Sequence, residues 1–509
     1  ATVVEVPCIV DGEAVFTGNT VEQVVPHNHS HVLAKVHLAG KAEIEDACAA
    51  AVAAQGDWIA LGLEARAAIF ERCADLLAGD WRYRVNAATM LNQSKTVFQA
   101  EVDAACELID FWRFNAHYAR EFHDQLQPLV SPKGVENSTE IRPLEGFVLA
   151  ITPFNFTSIA GNLPSAPALV GCTAIWKPSR NCYYSNYVLM QLMLEAGLPA
   201  GVINFLPGSG AEISDVALAN PDFAGLHFTG STPTFQGLWQ RIADALPGLR
   251  SYPRIVGETG GKNFVFAHAS ADPDELAANL IRGAFEYQGQ KCSAASRAYI
   301  PKSVWDRMGN ALCAEVAKIT MGDTCDFTNF MTAVIDQRAF DKISGYIERA
   351  KASDTCEVVV GGGSDDSEGW FIEPTIIVTS DAKAESMVEE IFGPVLTVYV
   401  YEDDDFDDVL ELCDESSPYA LTGAIFATHE ADIQKAFNAL RFTAGNFYIN
   451  DKPTGAVVAQ QPFGGARASG TNDKAGSPLN LLRWISPRSI KRTLDIPQEW
   501  GYPFLAPDE

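Results

Sequence analysis

Two short strings carry residue types that can make and break bonds at a carbonyl carbon. The first is Gly289-Gln290-Lys291-Cys292-Ser293. A loop-borne thiol beside a lysine can have a lowered pKa and attack as a thiolate. Alone, such a cysteine reads as readily as an inert, buried one. The second string is Gly257-Glu258-Thr259-Gly260-Gly261-Lys262. A carboxylate directly before a Gly-Gly turn can be presented at a cleft, because glycine lets the backbone approach closely. Alone, it reads equally as an ordinary turn after a strand at Arg254 to Val256.

Signals for a phosphate-bearing cofactor are of two strengths. Gly208-Ser209-Gly210-Ala211-Glu212-Ile213 lacks the third glycine of a dinucleotide fingerprint and is weak. Gly230-Ser231-Thr232-Pro233-Thr234 follows a strand and is stronger. Ser231 can cap a helix with Pro233 in its first turn, leaving N–H groups for a pyrophosphate. His27-Asn28-His29-Ser30-His31 would place three imidazoles on one face if extended. With no adjacent carboxylate or cysteine, and with Pro26 before it, a polar turn is favoured over a metal site.

Positioning these groups requires an α/β frame. Val3 to Val10 reads as a strand, and Asp11-Gly12 as a turn; the part up to about Phe122 is expected to hold two short strands and then helices. Ala42 to Ala54, Glu64 to Ala78 and Glu101 to Tyr118 carry helical periodicity. From Gly146 on, short apolar strands (Phe147 to Ile151, Ala174 to Lys177, Val202 to Phe205, Gly225 to Phe228) alternate with helices, which implies a parallel sheet with right-handed crossovers. A second such unit follows, with a helix from Asp272-Pro273 to about Tyr287. Its expected strands are Ala298 to Ile300, Cys356 to Val360 and Leu396 to Tyr401. Pro132 to Arg142 and Trp484 to Arg492 fall outside this plan and are expected to pair as a small projecting sheet. Such an edge is exposed unless another subunit covers it.

Bulk properties narrow the class. A chain of 509 residues, 47% hydrophobic and 20% charged, is expected to form two or three globular domains. Its 37 basic and 65 acidic residues leave a net charge of −28, which opposes nucleic acid and anionic membranes as partners. The apolar runs are too short to span a bilayer. Ala1 to Val10 does not resemble a secretory signal. The first residue is not Met, so a processed or trimmed targeting segment is compatible with the sequence. Eleven cysteines stand singly without a C-x-x-C pair, which disfavours structural zinc and fits a reducing compartment.

Taken in order, the motifs resemble the aldehyde dehydrogenase superfamily over nearly the whole chain. They are Pro153-Phe154-Asn155-Phe156, Trp176-Lys177-Pro178-Ser179, Phe228-Thr229-Gly230-Ser231, the Glu258 and Cys292 strings, Glu389-Glu390-Ile391-Phe392-Gly393-Pro394, and Pro462-Phe463-Gly464-Gly465. The resemblance implies an α/β aldehyde dehydrogenase fold. Its parts would be a Rossmann-like cofactor domain at 1–260 (without about 127–145), a catalytic domain at 261–460, and an oligomerisation sheet from 127–145 with 483–495. It implies Cys292 as nucleophile, Glu258 as the base that hydrolyses the thioester, and Asn155 with the Cys292 N–H as oxyanion donors. It also implies NAD or NADP contacts from Thr152, Lys177, Gly230, Ser231, Thr232, Pro233, Thr234, Glu390 and Phe392. Three residues after Lys177, where the family often has an acid, stands Arg180, which can accept a 2′-phosphate; NADP stays open and NAD is favoured.

Three longer strings, Phe285 to Ala294, Gly445 to Lys452 and Gln460 to Lys474, resemble the family of L-glutamate γ-semialdehyde (1-pyrroline-5-carboxylate) dehydrogenases of the monofunctional eukaryotic type. That resemblance implies oxidation of the semialdehyde to L-glutamate in proline catabolism, in the mitochondrial matrix, by a homodimer or larger homo-oligomer. Gly455-Ala456 and Ser293 would hold the substrate's carboxylate, Ala456 through its backbone only. Phe156 and Phe463 would sandwich the aliphatic chain, and Glu107 would favour the ammonium. No metal is implied. The alternatives are an NADP-dependent dehydrogenase of another small aldehyde, such as succinate semialdehyde, and a catalytically silent scaffold. The joint presence of Cys292, Glu258 and Asn155 disfavours the scaffold.

Overall fold

A computed structural model gives the fold and describes residues 3–505; Ala1 and Thr2, at the start of the first expected domain, lie outside the described residues. Five parallel strands form the body of the first sheet. Phe147–Ile151 lies centrally, with Thr173–Lys177 and Ile203–Phe205 on one side, and Phe223–Thr229 and Arg254–Glu258 on the other. The apolar runs have a direct cause: Val148, Leu149, Ala174, Ile175 and Trp176 are fully buried, facing two separate cores. Helix Lys41–Ala60 supplies Ile44, Ala47 and Ala51 to one core, and helix Thr157–Leu169 supplies Ala160, Ala166 and Ala168 to the other.

The sheet grows first to one side of Phe147–Ile151 and then to the other. In doubly wound folds the ligand crevice opens at such a switch point, beyond the carboxyl ends of the strands. Thr152, Lys177, Gly230 and Glu258 all stand at or just past those ends.

The N-terminal part departs from expectation. It holds five strands, not two: Val4–Val6, Cys8–Val10, Glu13–Val15, Thr20–Val25 and Asn28–His37. Pro7, which has no N–H for a ladder, divides the expected Val3 to Val10 strand. Asp11 (φ 50) and Gly12 (φ 78) make the expected hairpin turn, and the hairpin extends the first sheet antiparallel to Ile203–Phe205. The polar-turn reading of His27 to His31 is corrected: only Pro26 and His27 turn, and the rest begins a strand. His27 Nδ1 lies 2.6 Å from Ser94 Oγ, whereas His29 Nε2 lies 2.9 Å from the Asp366 carbonyl oxygen.

A second seven-stranded sheet runs Cys356–Val360, Thr375–Thr379, Val395–Tyr401, Ala295–Pro301, Asn263–Ala267, Thr422–Phe426, Asn446–Ile449. All pairings are parallel except the first. Helix Pro273–Phe285 starts as its sequence predicts, because Asp272 Oδ1 accepts from the N–H groups of Asp274 (2.9 Å) and Glu275 (3.1 Å). It ends at Phe285, short of the expected Tyr287.

Outside both sheets, Val135–Glu140 pairs antiparallel with Arg488–Thr493, and every residue of the second strand is exposed. The excursion starts later than Trp484. That indole is fully buried, with its ring 4.8 Å from the His227 ring, so the chain leaves the core only after it. Among the described residues, no helix is long and apolar enough to cross a membrane.

Candidate active site

The cysteine loop is built by strain and held by amides. After Phe285 the chain turns through Tyr287 (φ 50), Gln288 (φ 53) and Gly289 (φ 65). A non-glycine residue held there costs about 1–3 kcal/mol. Buried hydrogen bonds offset that cost. Gln288 Nε2 donates to the Ala333 carbonyl (2.7 Å) and Thr332 Oγ1 (2.8 Å), and the Tyr287 hydroxyl donates to the Gln93 carbonyl (3.0 Å). Beyond the turn, Asn263 Nδ2 donates to the carbonyls of Cys292 (2.7 Å) and Ala294 (2.8 Å). The buried Asn263 was not singled out from sequence; its place directly after the Gly-Gly-Lys run was the available signal.

The expected help from Lys291 is absent. Its ammonium lies 3.5 Å from Glu286 and 3.6 Å from Asp103, buried and paired with both. Burial, and then the carboxylates Glu258, Glu390 and Glu107, push the Cys292 thiol well above its ordinary pKa. The correction is physical: a lysine next in sequence to a cysteine on a turn need not be next to it in space.

Glu258 closes strand Arg254–Glu258, and its Oε2 accepts from the Gly465 N–H at 2.9 Å. Burial raises its carboxyl well above the ordinary range; the Gly465 N–H and Lys474 pull it down, and Asp473 pushes it up. Asn155 lies just past strand Phe147–Ile151 and is buried. One of its amide N–H groups donates to the Gln290 carbonyl at 3.0 Å, beside the cysteine turn; a primary amide has a second to give.

A cavity of about 230 Å³ brings Cys292, Glu258, Ser293, Phe156, Phe463, Gly455, Ala456 and Glu107 to one wall or another. The Ser293 hydroxyl bonds the Thr454 hydroxyl at 2.7 Å, which ties the cysteine loop to the Gly455-Ala456 segment. The Lys95 ammonium sits 4.4 Å from the centre of the Phe156 ring and 4.2 Å from that of Tyr287, and it pairs with Asp103 at 2.6 Å. Lys95 and Asp103 were missed in the sequence, which offers no spacing rule for them. Residues Glu101–Cys106 form a π-helical turn, a feature enriched at functional sites. It sets Asp103, Cys106 and the following Glu107 against the cavity. Burial, with Asp103 adding, raises Glu107 to about 8, and its Oε2 accepts from the Ser158 hydroxyl at 2.5 Å. Glu107 is thus mainly protonated at neutral pH and would have to release a proton to pair with an ammonium.

The cofactor-type residues lie outside the lining of this cavity. Helix Thr232–Ala245 opens with Ser231 at its cap, but the Ser231 hydroxyl bonds the Thr234 hydroxyl (2.7 Å) rather than capping a backbone N–H. The Thr232 and Thr234 N–H groups are thereby left without a side-chain cap, which suits an anion at the helix start. Lys177 lies near Gly210, where an added Cβ would stand 3.7 Å from its Cε; burial, with Arg180 adding, lowers its ammonium to about 8. Thr152 is buried and accepts from the Trp176 indole N–H at 3.1 Å. Glu390 accepts from the Gly261 N–H at 2.8 Å, and an added Cβ at Gly260 would fall 2.7 Å from its other oxygen. That approach requires glycine at 260, whereas a Cβ at Gly261 would run into the Cys292 carbonyl oxygen. Phe392 (φ 61) meets Phe154 edge-on at 5.8 Å. Arg180 donates to Asp336 at 2.9 Å.

Comparison with known proteins agrees with this geometry. Residues 15–490 match the aldehyde dehydrogenase family. The chain is 52% identical over 510 residues to the mitochondrial delta-1-pyrroline-5-carboxylate dehydrogenase of Dictyostelium discoideum, covering 100% of this chain and 91% of that one. It is 48% identical over 501 residues to the Homo sapiens protein of the same name, covering 98% and 89%. The crystal structure of the delta-pyrroline-5-carboxylate dehydrogenase from Mycobacterium tuberculosis bound with NAD superposes with a TM-score of 0.95 at 54% identity, covering 99% and 93%. A thiol and a carboxylate on one cavity, a carboxamide bonded beside the cysteine turn, this frame and these relatives lead to one assignment: the chain belongs to the aldehyde dehydrogenase family.

Proposed function

We propose that this chain oxidises L-glutamate γ-semialdehyde, the opened form of 1-pyrroline-5-carboxylate, to L-glutamate with NAD, in proline catabolism. One observation carries the reading. A single cavity joins Cys292 and Glu258 to the Gly455-Ala456 segment, Ser293 and two phenylalanine rings. The aldehyde end requires the first pair, and the amino-acid head and short aliphatic chain suit the others.

Cys292 attacks the aldehyde carbon as the thiolate, its proton having passed to solvent. Oxygen of the resulting thiohemiacetal carries negative charge, which the Asn155 amide and the Cys292 N–H receive; one such donor is worth about 3–4 kcal/mol. NAD, when bound, accepts the hydride that turns the thiohemiacetal into a thioester. The uncapped start of helix Thr232–Ala245 would hold its pyrophosphate, with Lys177 and Glu390 as polar partners for its riboses. Glu258 then draws a proton from water, and the hydroxide cleaves the thioester to release glutamate and the Cys292 thiol. Arg180 bonded to Asp336 supports NAD over NADP, since its guanidinium already has an anionic partner.

Purified protein should show kcat/KM for glutamate γ-semialdehyde at least about tenfold above that for succinate semialdehyde, the size of one lost charge-assisted contact. Equal or reversed values would sink the substrate reading.

The projecting pair Val135–Glu140 and Arg488–Thr493 is read as the oligomerisation sheet. Exposed apolar side chains flank its strands in sequence, among them Leu129, Val130, Ile496 and Trp500, and a partner copy would cover such surface. Light scattering on the intact chain is expected to give a dimer or larger; a stable monomer at micromolar concentration would refute this. The mitochondrial matrix is proposed from the relatives named as mitochondrial.

A further inference from the structure

Lys474 lies behind Glu258, and one peptide group stands between them. The Lys474 ammonium donates to the Gly445 carbonyl at 2.8 Å, the Gly464 carbonyl at 3.2 Å and Asn446 Oδ1 at 3.3 Å. The Gly464 carbonyl belongs to the same peptide plane as the Gly465 N–H. That N–H donates to Glu258 Oε2 at 2.9 Å. A cation thus meets the oxygen end of the plane, and an anion meets its N–H end. Hydrogen bonds arranged head to tail in a low-dielectric site polarise one another, so charge at one end is felt at the other.

The surroundings make this link specific. Asn446 holds the segment in place, with Nδ2 donating to the Pro462 carbonyl (3.1 Å) and Oδ1 accepting from the Gly464 N–H (3.2 Å). An added Cβ at Gly464 would stand 3.2 Å from both Glu258 Oε1 and the Lys474 backbone nitrogen, so the two segments pack closely here. The other charged group near Glu258 is Asp473, which opposes its ionisation and has its own partners in Arg483 (3.3 Å) and the Thr471 hydroxyl (2.5 Å). Across the cavity Glu258 faces the Cys292 thiol. Lys474 is thus the cation that answers the buried carboxylate.

We infer that Lys474 is a positioning residue that keeps Glu258 ionised and aimed at its water, acting through the Gly464–Gly465 peptide. The inference rests on Glu258 being the base of thioester hydrolysis. It is tested by pH profiles of steady-state turnover for the parent, Lys474→Met, Lys474→Arg and Glu258→Gln, each normalised to its first-turnover burst of NADH so that only competent sites count. Lys474→Met should keep the burst and move the acid limb of turnover upward by about one pH unit, the low end for losing a nearby opposite charge. Lys474→Arg, which retains the charge and can reach the same oxygens, should restore the limb. An unmoved limb in Lys474→Met overturns the inference, as does an arginine variant that behaves like the methionine one. Should Lys474→Met not fold, Lys474→Gln keeps a donor without the charge and is judged by the same criterion. Persistence of the parent's acid limb in Glu258→Gln would instead overturn the base assignment, which keeps the two failures apart.

Discussion

Replacing Cys292 by alanine is expected to reduce aldehyde oxidation by a factor on the order of 10⁶, the scale seen when a covalent nucleophile is removed from a preorganised site. Asn155 cannot compensate, because its amide stabilises charge on an oxygen that becomes anionic only after a nucleophile has added. Fold and cofactor affinity should survive. The Cys292 side chain makes no hydrogen bond that the loop depends on; Asn263 holds the Cys292 and Ala294 carbonyls whatever the side chain. Stopped-flow NADH formation and NAD binding on the same preparation check both halves. Turnover within tenfold of the parent, with NAD still bound, would remove Cys292 from the chemistry.

Glu258→Gln should separate the two halves of the reaction. The variant should produce a burst of NADH and then stall, with steady-state turnover lower by about 10²–10⁴-fold, the usual share of a general base. The sign of the pH effect follows from burial. Glu258 works as a carboxylate, and its pKa lies well above the ordinary carboxylate range. Turnover of the parent should therefore fall as pH drops through that raised value, at a pH higher than an exposed glutamate would allow. The glutamine variant should lose that limb. A variant without burst, or one deacylating at the parental rate, contradicts the assignment of Glu258 to thioester hydrolysis.

Much of the frame could be read from sequence because its strands are short, apolar and buried on both faces, so that their edges stand out against the helices. The N-terminal strands were harder. Thr20–Val25 carries Glu22 and Gln23 among its valines, so no continuous apolar signal marks it. The site was legible where chemistry demands a residue type: a thiol, a carboxylate, a carboxamide. It was not legible where only geometry decides. Nothing in the string Gln290-Lys291-Cys292 says that the lysine turns toward Asp103 and Glu286, or that Lys95 backs the Phe156 ring. The π turn at Glu101–Cys106 likewise has no compositional mark, since it differs from a helix only in which carbonyl each N–H reaches.

The carboxylates around Cys292 have one more consequence, for durability. A thiol climbs toward sulfenic and sulfinic acids far more slowly than its thiolate does. Burial first, and then the Glu258 and Glu390 carboxylates, hold Cys292 in the protonated form at rest, while Lys291 is paired with Asp103 and Glu286. Its exposure to peroxide is then confined to the brief interval in each cycle when the proton is away. An enzyme built this way ages by the number of aldehydes it has processed rather than by the hours it has waited.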